Sequence, residues 1–282
     1  MTPAARPPGG RFGRVVLWAF CLLVVLFLLA PIAVIVVVSF NDAPTFGFPP
    51  ERWSLRWYRA LVASEGWRRS AWLSFALAFS VMAASVALGA PAAYALARGR
   101  FRGRRATEFF LVSPMVVPTI VLALGLYLLL APFRLVGTPW ALFLGHVVLA
   151  LPVVIVIVGA AFRRSDPAME LAARACGAGF WRAFWHVALP AVRPALVSAA
   201  AFAFLTSFDE VVLALFLGGP NASTLPKRIW EAVKFELDPS LTAISTLLVL
   251  LTLFALLAGE VARRGRAAAA RHPQHPGEDT PR

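Results

Sequence analysis

Two carboxylates stand side by side at the end of an apolar run, Asp209 and Glu210 in "AFAFLTSFDEVVLALF". An ionisable residue in such surroundings faces a polar cavity or a partner group, because an unpaired charge in hydrocarbon is expensive. If one helix continues through the pair, Phe202, Leu205 and Asp209 share a side at spacings of three and four, and Thr206 and Glu210 the next. A carboxylate with an aromatic neighbour attracts an ammonium group through charge and cation-π contact. Asp209, Glu210, Phe202 and Thr206 are therefore candidate pathway residues for a cation. The pair equally fits an acidic edge at the outer water interface, since helix neighbours cannot both face one narrow pore.

A second stretch, "MELAARACGAGFWRAFWHVALP" from Met169 to Pro190, brings arginines and glycines out between two almost uncharged runs. Asp166 before Pro167 is a helix start, with a carboxylate acceptor and a proline whose missing N–H is harmless in the first turn. The pattern predicts a helix from Pro167 to about Cys176, left-handed glycines at 177 and 179, and a second helix over Phe180 to Val187. Met169, Ala172, Ala173 and Cys176 share one side of the first, and Phe180, Phe184 and Val187 one side of the second. Such faces need a cover: a docking partner, or the lipid headgroup layer with Trp181 and Trp185 as anchors.

Other chemistry is missing from the pattern. A phosphate-cradling GxxxxGK[ST] loop needs a lysine after glycines, and neither lysine, Lys227 or Lys234, follows them. There is no nucleophile elbow, no zinc-spaced histidine pair and no metal-binding cluster. His146 and His186 read as hydrogen-bonded structural groups, and Cys21 and Cys176 as packing residues. The net charge of +13 lies mostly in loops beside apolar runs, which argues against nucleic-acid binding and for contact with lipid headgroups.

The elements that must hold these residues are membrane helices. Sixty per cent of the 282 residues are hydrophobic and fall in blocks of about twenty or more, the length that crosses a bilayer. Six spans are predicted, near 15–40, 71–97, 109–131, 137–162, 192–217 and 241–262. The first has an uncharged run, Val15 to Asn41, longer than a secretory signal core, and is read as a retained helix. Eighteen of the 27 basic residues then lie on the side that holds both termini, which predicts cytoplasmic termini and a cytoplasmic loop at 163–191. Residues 1–14 form a cytoplasmic N-terminal segment, 15–262 the transmembrane domain and 263–282 a polar, proline-rich disordered tail. Pro114, Pro118, Pro152, Gly89 and Pro91 sit inside spans, as kinks or packing contacts. Trp53, Trp57 and Tyr58 suggest an amphipathic segment at the outer interface.

The series Ala172, Ala173, Gly177, then Leu189 and Pro190, resembles the "EAA" loop of permease subunits of bacterial ABC importers. With Gly177 in register, Leu171 stands where that pattern has glutamate, and Glu170 lies one position early. "SFNDAP", "RWYRAL", "RFRGR", "SFDEVVLALFLGGP" and "TLPKRIW" extend the resemblance to the second permease of the spermidine/putrescine importer group. The resemblance implies an all-α, polytopic membrane protein of about six helices with the MetI-like type I importer fold. It implies that Pro167, Glu170, Leu171, Ala172, Ala173, Gly177, Leu189 and Pro190 form a loop seated in an ATPase subunit. It also implies a distinct second permease, two cytoplasmic ATPase subunits that use ATP and magnesium, and a periplasmic solute-binding protein; the chain itself carries no cofactor. An ion-coupled secondary transporter, or a permease for another small solute such as an amino acid or an amine-bearing phosphonate, is the rival reading.

Overall fold

Some prolines in the apolar blocks break a helix and others lie inside a continuous one. A computed structural model describes residues 11–43, 47–236 and 239–269. In chain order its helices are α1 (Arg11–Val38), α2 (Arg56–Ala63), α3 (Glu65–Arg98), α4 (Arg104–Val112), α5 (Thr119–Leu130), α6 (Pro139–Arg164), α7 (Ala168–Ala175), α8 (Phe180–Ala183), α9 (Leu189–Ala191), α10 (Arg193–Phe208), α11 (Val212–Leu217), α12 (Leu225–Glu231) and α13 (Ser240–Ala269). A π-helical turn, Phe184–Ala188, joins α8 to α9. Among the described residues the only β pairing is the bridge between Asn41 and Trp53.

Three helices, α1 from Gly13 on, α3 and α6, are long and apolar enough to cross a bilayer as single rods. The span expected at 109–131 is instead broken: Arg104–Met115 and Thr119–Phe133 meet at 103°. Pro118 stands at the break with an extended ψ of 130°, and it biases the residue before it away from helix. The span expected at 192–217 is also interrupted. Phe180–Ala191 bends by 79° into α10, and α10 ends at Phe208 before the short α11 begins. By contrast Pro91 and Pro152 lie inside continuous helices. The last expected span falls on α13, whose apolar part is Ser240–Phe254 and whose helix runs on to Ala269. Residues 1–10 and 270–282, most of the two expected terminal segments, lie outside the described residues.

The chain divides into two units. In the first, α1 is exposed over most of its length, as a lipid-facing helix is, so Cys21 is exposed instead of packed in a core. Beyond α1 the chain folds back: Ser54 donates its N–H to Phe40 O at 2.7 Å, and Ser39 Oγ lies 2.6 Å from Tyr58 Oη on α2. Two of the expected interfacial aromatics, Trp53 and Tyr58, thus pack tilted against Phe40.

The second unit, Ser64–Glu236, is built on α3, α6 and α10. Its core is Leu77, Val81 and Ala93 of α3, Val154, Val158 and Phe162 of α6, and Ala199 and Ala203 of α10. Small residues let the backbones approach, which is how helices associate in lipid where no hydrophobic force drives them together. A Cβ at Gly89 would stand 2.8 Å from Val154 Cγ1, and one at Gly145 2.9 Å from Leu217 Cδ1. Gly89 is therefore a packing position.

Candidate functional site

The 163–191 loop begins as its residues dictate. Asp166 Oδ1 accepts the Ala168 N–H at 2.8 Å and caps α7. At the other end Gly177 N–H donates to Arg174 O and Ala178 N–H to Ala173 O, both at 3.0 Å. This reciprocal pair is the Schellman closure, and it requires the left-handed φ of +89° that Gly177 adopts. Gly179, expected to be left-handed as well, is extended at φ −65° and ψ 164°, because it stands before the first turn of α8 instead of closing α7.

Which side of the loop is buried differs from the helical-face reading. Met169, Ala172 and Cys176 are exposed, and the one buried residue of α7 is Glu170, 8% exposed. Its carboxylate accepts the Tyr94 hydroxyl at 2.6 Å and the Arg98 Nε–H at 3.3 Å. Arg98 Nη2 also donates to Ser165 O and Ser165 Oγ, each at 2.8 Å, so one guanidinium closes the end of α6 and holds α7. A buried carboxylate is tolerable when its acceptor positions are filled in this way. Around the same tyrosine pack Phe162 of α6, Phe180 of α8 and Phe184 of the π turn, with ring centroids 5.2, 5.8 and 4.9 Å away. The apolar side formed by Phe180 and Phe184 therefore meets α3 of its own chain, and Phe184 is fully buried.

The outer side of the loop stays open. Met169, Leu171, Trp181 and Trp185 are all more than half exposed, and Leu189 and Pro190 are partly buried behind them. Leu171 thus points away from the tether that Glu170 makes one residue earlier, as the roughly 100° step of a helix requires. The result is a knob with an apolar outer surface, bonded on its inner side to the ends of two long helices.

The acidic pair is not on a continuous helix. The Asp209 N–H makes the last bond of α10, to Leu205 O at 3.0 Å, and Glu210 Oε1 turns to accept the Leu213 N–H of α11 at 2.9 Å. Asp209 is exposed, and its carboxylate has no partner among the described residues. Thr206 Oγ1 donates to Phe202 O at 2.8 Å. α10 is two-sided. Phe204 and Phe208 stack 5.6 Å apart and meet Phe79 and Phe75 of α3 at 5.0 Å each, whereas Phe202 and Leu205 are 55% and 56% exposed. Phe202, Leu205 and Asp209 therefore form an open face with one unpaired carboxylate, and Glu210 serves as a helix cap. Of the histidines, buried His146 is bonded through Nδ1 to Ser207 Oγ at 2.9 Å, and His186 Nδ1 lies 3.1 Å from Arg182 O. Cys176 is exposed, not packed. Among the described residues no three His, Cys, Asp or Glu side chains converge as a metal site.

Sequence reasoning placed the loop and its hinge but missed Tyr94 and Arg98. The available signal was an arginine closing a predicted span and the one acidic residue of a short helix whose other charged residue is Arg174.

Comparison with known proteins bears on the chain as a whole. The family described as "Binding-protein-dependent transport system inner membrane component" matches residues 85–266. The putrescine transport system permease protein PotI of Escherichia coli K12 is 33% identical over 230 residues, 79% of this chain and 82% of that protein. The spermidine/putrescine transport system permease protein PotC is 30% identical in Escherichia coli K12, over 90% of this chain and 96% of its own length. The PotC of Haemophilus influenzae is 32% identical over 87% and 95%. A solved bacterial ABC transporter involved in alginate import aligns with a TM-score of 0.72 at 18% identity, covering 93% of this chain and 99% of that one. A chain of the MetNI methionine ABC transporter aligns at 0.56 and 22%, covering 70% and 94%.

Proposed function

The chain belongs to the binding-protein-dependent transport system inner membrane component family, and from that premise we propose that it carries a polyamine inward under the control of a separate ATPase. As a member it is a multi-pass inner-membrane permease subunit of an ABC importer; such subunits are not themselves enzymes. The reading of the substrate is supported by the relatives named for putrescine and spermidine, and by the unpaired Asp209 on the same exposed side of α10 as Phe202, a carboxylate and a ring that suit an ammonium group. Partners are a distinct second permease, two cytoplasmic ATPase subunits that bind ATP and magnesium, and a periplasmic solute-binding protein. Both termini and the 163–191 loop face the cytoplasm.

The observation that carries the mechanism is the bonded loop. α7 presents Met169, Leu171 and Ala172 to an ATPase cleft, while Glu170 holds the same helix to Tyr94 and Arg98 of α3. Closure of the ATPase pair on ATP moves the knob, and α3 and α6 follow because their ends share the Arg98 guanidinium. The helices packed on them then exchange inward and outward openings. An apolar Leu171 in place of an acidic contact asks for an apolar wall at that point of the cleft.

The test is ATP-dependent uptake of radiolabelled putrescine and spermidine by proteoliposomes holding this chain with its partners. Uptake that requires ATP and the binding protein is the expected result. ATP-independent uptake by this chain alone overturns the mechanism, and ATP-driven uptake of a different solute overturns the substrate.

A further inference from the structure

One buried polar group takes no part in the loop or in the acidic pair. His146 of α6 is 1% exposed, and its Nδ1 lies 2.9 Å from Ser207 Oγ of α10. The other ring nitrogen, Nε2, is buried too and has no hydrogen-bond partner among the described residues. Whichever nitrogen carries the proton, one edge of the ring is bonded and the other is left over. A half-satisfied polar group in an apolar core is costly, and a single hydrogen bond between membrane helices returns little. An apolar side chain of similar size would pack there without that cost. What the imidazole supplies is therefore a direction more than stability.

The place of the contact gives that direction a use. Ser207 lies in the last turn of α10, two residues before Asp209, whose N–H makes the closing bond to Leu205 O at 3.0 Å. Gly145, next to His146, meets the other side of the break. A Cβ there would stand 2.9 Å from Leu217 Cδ1 and 3.5 Å from Leu213 Cδ1, both in α11. Two consecutive residues of α6 thus touch both helices that meet at the acidic pair. The leucine contacts have no preferred direction, whereas a hydrogen bond is directional and sets the rotation of α10 about its own axis. Ser207 is 4% exposed and faces α6. At about 100° per residue, Asp209 then points about 200° round from it, to the side where Phe202 and Leu205 are exposed.

We propose that His146 is a positioning residue for transport: by holding Ser207 against α6 it turns the Asp209 carboxylate to the open face of α10. This rests on the reading of that face as the solute contact. His146 is sealed from the open face by its burial and acts only through Ser207.

The experiment uses the complete transporter, with two readouts. The first is ATP-driven putrescine uptake by proteoliposomes. His146→Leu is expected to raise the concentration for half-maximal uptake roughly three- to tenfold, the reach of one interhelical hydrogen bond, with ATP hydrolysis and assembly kept. Ser207→Ala does the same, and the double variant is no worse than the worse single one, because both remove one interaction. His146→Asn, whose amide falls near the place of Nδ1, restores the midpoint, whereas His146→Gln, whose amide falls near Nε2, does not. The second readout needs no solute: the rate at which a maleimide labels Asp209→Cys, in transporters otherwise free of exposed cysteines, changes several-fold when His146→Leu is added. If His146→Leu fails to assemble, the Asn and Gln variants and Ser207→Ala decide. A lowered unfolding temperature with midpoint and labelling unchanged would make His146 a packing group and overturn the proposal. Restoration by Gln and not by Asn overturns it as well. Altered labelling without putrescine uptake would sink the substrate reading and leave the positioning role standing.

Discussion

Glu170 and Asp209 are the same chemical group in opposite circumstances. Glu170 is buried, accepts hydrogen bonds from Tyr94 and Arg98, and ties the loop to α3. Asp209 is exposed at the end of α10, and its carboxylate is bonded to nothing among the described residues. Satisfied buried charges specify geometry, because their partners hold them in one arrangement. An unsatisfied exposed charge stays open to a ligand. The difference separates a group that holds two helices together from one that holds nothing in place.

The sharpest way to break the contrast is at Glu170. Glu170→Ala leaves Arg98 Nε and the Tyr94 hydroxyl without their acceptor, at a cost of about 2–4 kcal/mol. Its expected signature is a lowered unfolding temperature of the assembled transporter, together with ATP hydrolysis that no longer drives uptake. Glu170→Gln retains an acceptor and keeps part of the coupling. If both variants transport like the wild type, the loop does not act through α3. Gly177→Ala comes next. Space for a Cβ is free there, so the whole penalty is the left-handed φ, about 1–2 kcal/mol, and uptake per ATP should fall without loss of assembly.

How far these sites could be read beforehand depended on whether the interaction was local. The α7 start at Asp166 and Pro167 and the stop at Gly177 are determined within a few residues, and they were legible. The hydrogen bonds from Tyr94 and Arg98 to Glu170 span 76 and 72 positions, so no periodicity could show them. The proline breaks were visible as possible kinks, but Pro118 ends a helix while Pro91 and Pro152 do not. The packing on either side settles that choice, not the residue. The acidic pair looked like neighbours on one helix. It is divided because Asp209 closes α10 while Glu210 opens α11, a local event hidden inside an unbroken apolar pattern.

That division gives the finest test of the comparison. Asp209→Asn removes a charge that holds nothing in place, so the unfolding temperature should stay within the scatter of surface changes, about 0.5 kcal/mol. If the open α10 face meets the solute, the concentration for half-maximal uptake rises several-fold, in line with ~1 kcal/mol for an exposed charge contact. Glu210→Ala should do the reverse. It removes the acceptor of the Leu213 N–H and costs about 1 kcal/mol of stability as a lost cap, with little change in the uptake midpoint. Matching effects on the uptake midpoint from the two substitutions would mean that the pair acts as one site after all. A stability loss confined to Glu210→Ala, with a midpoint shift confined to Asp209→Asn, assigns the cap and the contact to adjacent residues.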